Sequence, residues 1–270
     1  MDTILVPTDF SAPADNALNY AAELAKYFNA QIVLIHAYHI PAANYEMAIP
    51  PDVISSIQFA ASNALEKTKA RFMTTYPGLR ITCLSDMGMV EDVVRDAVGK
   101  YDADVVVMGI TGESGVLKEH VIGSSSVKLS RHLNIPVFII PEKASYHKIH
   151  KVGFACDMNK TEESTLVYVV KYFGQLFDAE VDVIHVGNGK PNETTINTSH
   201  YIDEKLRSIP HHMIFIESDD TALALQKHFM DYPVDVIITI PHAQSVFHNL
   251  FSVTKKLAFH SEIPIMTIHE

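Results

Sequence analysis

Ile4-Leu5-Val6-Pro7-Thr8-Asp9-Phe10-Ser11 is the stretch on which the reading of this chain turns. Ile4–Pro7 is a short apolar run of strand character, and Thr8–Ser11 supplies a polar turn with helix-start chemistry. From Ala17 the apolar residues fall at Leu18, Ala21, Leu24, Ala25 and Phe28, the spacing of one helical face. A buried strand leading through a tight turn into an amphipathic helix is half of a βαβ unit, and Gln31–His36 supplies the next strand.

The alternation continues. A long amphipathic helix is expected from about Asp52 to Thr75, carrying Val53, Ile57, Ala60, Ala61, Ala64, Leu65 and Phe72, and Pro77-Gly78 stops it. Strand 80–84, helix 90–98, strand 104–108, a glycine-bearing loop, helix 124–132 and strand 136–140 follow. The second half repeats the order: strand 151–156, helix 162–177, strand 180–186, strand 213–216, helix 221–230, strand 234–239, helix 248–260 and strand 264–268. The polar stretch from Gly187 to Ser208 carries no clear pattern. Residue-level echoes support a duplication. Asp9 matches Asp157, His36 matches His185, and Asn134-Ile135-Pro136-Val137 matches Glu262-Ile263-Pro264-Ile265. The expectation is an α/β chain of two tandem doubly wound five-stranded parallel sheets, residues 1–143 and 148–270, with the boundary near Pro141–Lys151.

Composition is consistent with this and narrows the function. The 270 residues are 47% hydrophobic and 20% charged, enough for two cores and unlike a disordered or fibrous chain. The formal net charge is −11, with 21 Lys plus Arg against 32 Asp plus Glu, so nucleic acid is not an expected partner. No apolar run reaches the roughly 18–20 residues of a membrane span, and Met1–Pro7 has no leader pattern. No membrane association and a cytoplasmic location are expected. Cys83 and Cys156 each lie in an apolar strand-like run and read as buried thiols in a reducing compartment.

In a doubly wound sheet, ligands sit beyond the carboxyl ends of the strands, where strand order reverses. The residues placed there include the loop Gly109 to Ser126, whose glycines allow close backbone approach and whose Ser124-Ser125-Ser126 run opens a helix. Phosphate binding and plain turn-and-cap roles both account for this pattern. Neither a GxxxxGK[ST] loop nor GxGxxG occurs, so a P-loop lysine is missing and efficient phosphoryl transfer is not expected. The fifteen histidines form no HExxH or CxxC context, and His211-His212 lies on a strand edge with no i,i+4 partner, so no metal site is expected. No catalytic residues are assigned.

On these residues the chain resembles the universal stress protein family in its tandem form. The marks are Ile4–Ser11, His36, Asp104-Val105-Val106-Val107-Met108-Gly109, and the glycine loop ending in Gly123-Ser124. Nucleotide-binding members carry G-x2-G-x9-G-[S/T]; here Gly109 and Gly112 fit, and ten residues rather than nine separate Gly112 from Gly123. The resemblance implies an adenine nucleotide alpha-hydrolase-like fold, with the two domains packed as an intrachain pseudo-dimer. It also implies a stress-response, regulatory protein that binds ATP, or AMP or ADP. It places Pro7, Thr8 and Asp9 near the adenosine, Ala37 at the base, Met108 and Gly109 at base and ribose, and Thr111, Gly112, Gly123, Ser124, Ser125 and Ser126 at the phosphates. Mg²⁺ can accompany the phosphates, although no acidic pair in the loop specifies it. Unidentified protein partners are implied, and a homodimer is compatible with the reading. A slow ATP hydrolase and a ligand-free scaffold are the alternatives to a nucleotide-binding module. For Asp9 itself, ligand binding competes with capping of the first helix, a role that Ser11 also fits. In the second half, Ile240, Ala243 and Phe251 stand where the first half has glycines, so one nucleotide site per chain is expected.

Overall fold

The structure is a computed structural model and describes residues 1–40, 50–110, 129, 133–159, 164–239 and 262–268. The chain divides into two compact units, the first running to Tyr146 and the second beginning at His147.

In the first unit, β1 (Thr3–Pro7), α1 (Ala12–Phe28), β2 (Gln31–Tyr38), α2 (Pro51–Thr75), β3 (Arg80–Met87), α3 (Val90–Tyr101), β4 (Val105–Ile110) and β5 (Val137–Pro141) follow in order. The strands pair in parallel in the order β3-β2-β1-β4-β5. Strand β1 is therefore the centre from which the chain winds first one way, to β2 and β3, and then the other, to β4 and β5. All five residues of β1 and of β5 are buried, which requires cover on both faces of the sheet. The edge strand β3 alternates more freely with solvent.

Helix α1 starts where its chemistry says it should. The Ser11 hydroxyl caps it, accepting from the Ala14 N–H, and Pro13 sits in the first turn, where it displaces no helical hydrogen bond. Asn29 ends the helix in the left-handed conformation. Its buried face is rich in small residues (Ala14, Ala17, Ala21, Ala22 and Ala25 around Leu18 and Leu24), so the helix lies close on the sheet. Helix α2 departs from its expected face. Only its second half is anchored, through Ala61, Leu65, Thr68 and Phe72, whereas Val53 and Ala60 are exposed.

The second unit contains β6 (Lys151–Ala155), α4 (Ser164–Phe177), β7 (Glu180–Gly187), α5 (Glu193–Leu206), β8 (His211–Glu217), α6 (Thr221–Asp231), β9 (Val236–Thr239) and β10 (Ile265–Thr267). Its strands are parallel in the order β8-β7-β6-β9-β10, the same winding as the first unit. The polar stretch without a clear pattern contains helix α5. Asn192 caps it by accepting from the Thr195 N–H, and only Thr195, Ile202 and Leu206 are buried. Three buried contacts in fourteen residues leave too thin a stripe to show as periodicity, and the cap carries the helix signal instead.

Equivalent strands are tied by equivalent bonds. Asp104 Oδ2 accepts from the N–H groups of Asp2 and Thr3, at 2.6 and 2.9 Å, and so binds the start of β4 to the start of β1. Asp235 Oδ2 does the same for His150 and Lys151, at 2.8 and 2.9 Å. The expected helices 124–132 and 248–260 fall outside the described residues, save Leu129, which is helical and buried. Among the described residues no helix is long and apolar enough to cross a membrane.

Candidate functional site

The site of interest lies where β1, β2 and β4 of the first unit end. Parallel pairing places Ile4 beside Val105 and Pro7 beside Ile35, so Thr8, His36 and Gly109 emerge at the same end of the sheet. This is also where the winding reverses, between β1 and β4.

The turn after β1 is held from within. The Thr8 N–H donates to the Ile35 carbonyl at 2.7 Å, continuing the ladder one residue past the strand. Thr8 is buried, and its hydroxyl oxygen accepts from the Phe10 N–H at 3.0 Å. Asp9 is exposed, and its Oδ1 accepts from the Ser11 N–H at 3.0 Å, a turn that leaves the rest of the carboxylate facing solvent. Ser11, not Asp9, caps α1. His36 Nδ1 lies 2.8 Å from the Thr8 carbonyl oxygen, so this nitrogen carries the proton and donates.

Phe10 was not singled out by sequence. It adopts φ of +65°, a conformation costly for a bulky side chain, and its ring lies 4.5 Å from the His36 ring at an angle of 44°. The αL backbone turns the ring back onto the imidazole at the rim of the strand ends. The sequence signal that was available is the His36 and His185 echo, which marks the position below the ring.

Gly109 is the next-to-last residue of β4, opposite Ile140. A Cβ there would lie 2.2 Å from the Pro13 carbonyl oxygen and 2.5 Å from its carbon. The neighbour is backbone, which cannot rotate away. The glycine is therefore required for the first turn of α1 to approach β4, independently of any ligand. Met108, before it, is buried; Pro7 is buried at the end of β1, and Ala37 is half-buried in β2. The structure thus brings together Pro7, Thr8, Asp9, Ala37, Met108 and Gly109. Thr111, Gly112, Gly123, Ser124, Ser125 and Ser126 lie outside the described residues.

The second unit repeats the frame with different side chains. The Cys156 N–H donates to the Ile184 carbonyl at 3.0 Å, and Asp157 Oδ1 accepts from Asn159 N–H at 3.1 Å, as Thr8 and Asp9 do. Burial and the neighbouring Asp157 push the Cys156 thiol up to about 12, so it stays protonated. Met158, the counterpart of Phe10, is fully buried. Beside this turn lies a cleft of about 200 Å³ lined by Asn159, His185, Asn192, Thr195, Phe215 and Glu217 among others. Thr195 and Asn192 already donate to Asn159 Oδ1 across its floor, at 2.8 and 3.1 Å.

Comparison with known proteins agrees with this architecture. The sequence profile of the Universal stress protein family matches residues 1–141. A universal stress protein of Methanocaldococcus jannaschii is 27% identical over 139 residues, covering 51% of this chain and 80% of the relative. Universal stress protein G of Salmonella typhimurium is 29% identical over 146 residues, covering 51% of this chain and 97% of its own. Among solved structures, a universal stress protein from Archaeoglobus fulgidus superposes with a TM-score of 0.77 at 17% identity, over 99% of this chain and 98% of the other. That likeness concerns the fold, and it spans both units. A family profile over half the chain, on a doubly wound unit whose strand ends carry the Thr8–Asp9 turn and Gly109, leads to one conclusion: this protein belongs to the universal stress protein family.

Proposed function

We propose that the first unit binds an adenine nucleotide, ATP in the first instance, at the carboxyl ends of β1 and β4, and that the protein acts as a regulatory binding module in a stress response. The observation that carries this reading is the convergence of Pro7, Thr8, Asp9, Ala37, Met108 and Gly109 at the point where the sheet's winding reverses. The Asp9 carboxylate, exposed and braced by a single backbone donor, is set to accept hydrogen bonds from ribose hydroxyls or the adenine amine. Thr8 and His36 position that turn from beneath and need not touch the ligand. The glycines and serines of residues 111–126 are the proposed phosphate cradle, with Mg²⁺ as an accompanying ion. The second unit, with Ile240, Ala243 and Phe251 in place of glycines, is proposed to bind no nucleotide.

Equilibrium dialysis of the full chain with ATP tests the reading. One nucleotide bound per chain, lost in Gly123→Val and weakened in Asp9→Ala, is the expected result. Gly109 is a poor probe, because its substitution would disturb α1 packing. Two nucleotides per chain would overturn the assignment of the second unit, and failure to bind with or without Mg²⁺ would overturn the nucleotide reading altogether.

A further inference from the structure

At the opposite end of the second unit's sheet, where its strands begin, four ionisable side chains meet. Glu180 and Asp182 are two apart on β7 and so project from one face. Asp182 pairs directly with His212 on β8, and Glu180 pairs with Lys151 on β6. His212 Nδ1 lies 2.6 Å from Glu180 Oε1 and 3.4 Å from Asp182 Oδ1, while Lys151 Nζ lies 2.9 Å from Asp182 Oδ2.

We propose that Glu180, Asp182 and His212 form a binding site for one divalent transition-metal ion of the zinc class, bridging the starts of β7 and β8. The three donor atoms all lie within 4.8 Å of one another. In a tetrahedral site with bonds of roughly 2.0–2.2 Å, ligand atoms stand about 3.3–3.6 Å apart. The Nδ1 to Asp182 Oδ1 separation of 3.4 Å already matches that edge. Glu180 is partly exposed, so its Oε1 is free to move away from Nδ1 to that edge once the proton between it and His212 is replaced by the ion. One imidazole and two carboxylates suit zinc, cobalt or nickel better than a soft ion that prefers sulfur.

Two features preorganise the group. Asp182 is 2% exposed and held by Lys151 through Oδ2, which leaves Oδ1 for the ion and fixes its direction. The parallel ladder holds His212 opposite it, with its ring 65% exposed and open to an entering ion and to a water as a further ligand. The charges also call for a cation. Glu180, Asp182 and Lys151 together leave one formal negative charge, which a bound cation would offset. His228, on α6, lies outside this group of three.

The test uses the full chain freed of metal by a chelator and titrated with Co²⁺, read by its visible absorption and by calorimetry, with Zn²⁺ as competitor. The expected result is a site taking one Co²⁺ per chain, displaced by Zn²⁺. Its affinity should fall at least about ten-fold in His212→Ala and in Glu180→Gln, both changes at exposed or half-exposed side chains that leave the core intact. His200→Ala, at an exposed histidine on α5, should leave it unchanged. Unaltered Co²⁺ affinity in His212→Ala, or no binding at millimolar Co²⁺, would overturn the proposal. This reading stands apart from nucleotide binding, since the two concern different units.

Discussion

Thr8-Asp9-Phe10-Ser11 in the first unit and Cys156-Asp157-Met158-Asn159 in the second are the same turn built twice, and they differ in what they do with the ring beneath them. In the first, His36 Nδ1 donates to the Thr8 carbonyl at 2.8 Å, and the Thr8 hydroxyl takes the Phe10 N–H. With that donor satisfied, Phe10 turns into the left-handed region and leaves its ring at the rim. In the second there is no hydroxyl at position 156. The Met158 N–H turns instead toward His185 Nδ1 at 3.2 Å, and the Cys156 carbonyl is left at 3.3 Å. Met158 then goes inward and is fully buried. One oxygen atom, present in threonine and absent in cysteine, accompanies a ring left at the rim in one unit and a side chain turned inward in the other. The two units share the strand-end main-chain bonds and the carboxylates of Asp9 and Asp157 and of Asp104 and Asp235, and differ in the side chains that meet the ring.

The comparison can be broken most forcefully at its glycines. Gly109→Ala should destabilise the first unit by about 3 kcal/mol or more, since the new Cβ meets backbone. Gly153→Ala in β6 should cost only about 1–2 kcal/mol, because its obstacle is the Phe229 ring at 2.7 Å, which can shift. Urea unfolding followed by amide exchange in each unit reads both; equal losses would show that α1 can retreat from β4. The paired carboxylates sharpen the likeness. Asp104→Ala and Asp235→Ala should each cost about 1–3 kcal/mol, because each frees two backbone N–H groups of a strand start. Losses that differ by more than about 1 kcal/mol between the two would mean that the equivalence is geometric only.

Smaller effects bear on the rings and thiols. Thr8→Val keeps the volume and removes the oxygen that accepts from Phe10, so a loss of about 1 kcal/mol is expected, with perturbed Phe10 and His36 ring resonances by NMR. His228 is pushed below the ordinary imidazole range by burial, so its folded form resists protonation. The unfolded chain then binds the extra proton more readily, and stability falls as pH drops through the ordinary imidazole value of 6.5. His228→Gln should flatten that part of the pH profile; an unchanged slope would assign it to other histidines. Last, burial pushes Cys83 up to about 11 and Cys156 up to about 12. At pH 8 neither should react with iodoacetamide until the chain is unfolded, and rapid labelling of either in the folded protein would contradict its placement.

Sequence by itself determined the alternation of strands and helices, the likeness of its two halves and the position of the strand ends. These features are legible because they follow from local rules: apolar runs bounded by turns, a serine cap ahead of α1, a proline in its first turn. Helix α5 escaped because a thinly buried helix hardly writes its period, although its Asn192 cap was present in plain view. Only the tertiary structure decided what Gly109 is for, since the obstacle is Pro13, almost a hundred positions away in the chain, brought against β4 by packing. The same holds for Glu180, Asp182 and His212. The i,i+2 pair on β7 is visible in sequence, but its third member comes from strand pairing, and β8 could align with β7 in several registers. Register is set by which face is buried across the whole sheet, a property of the folded chain that no short stretch of residues contains.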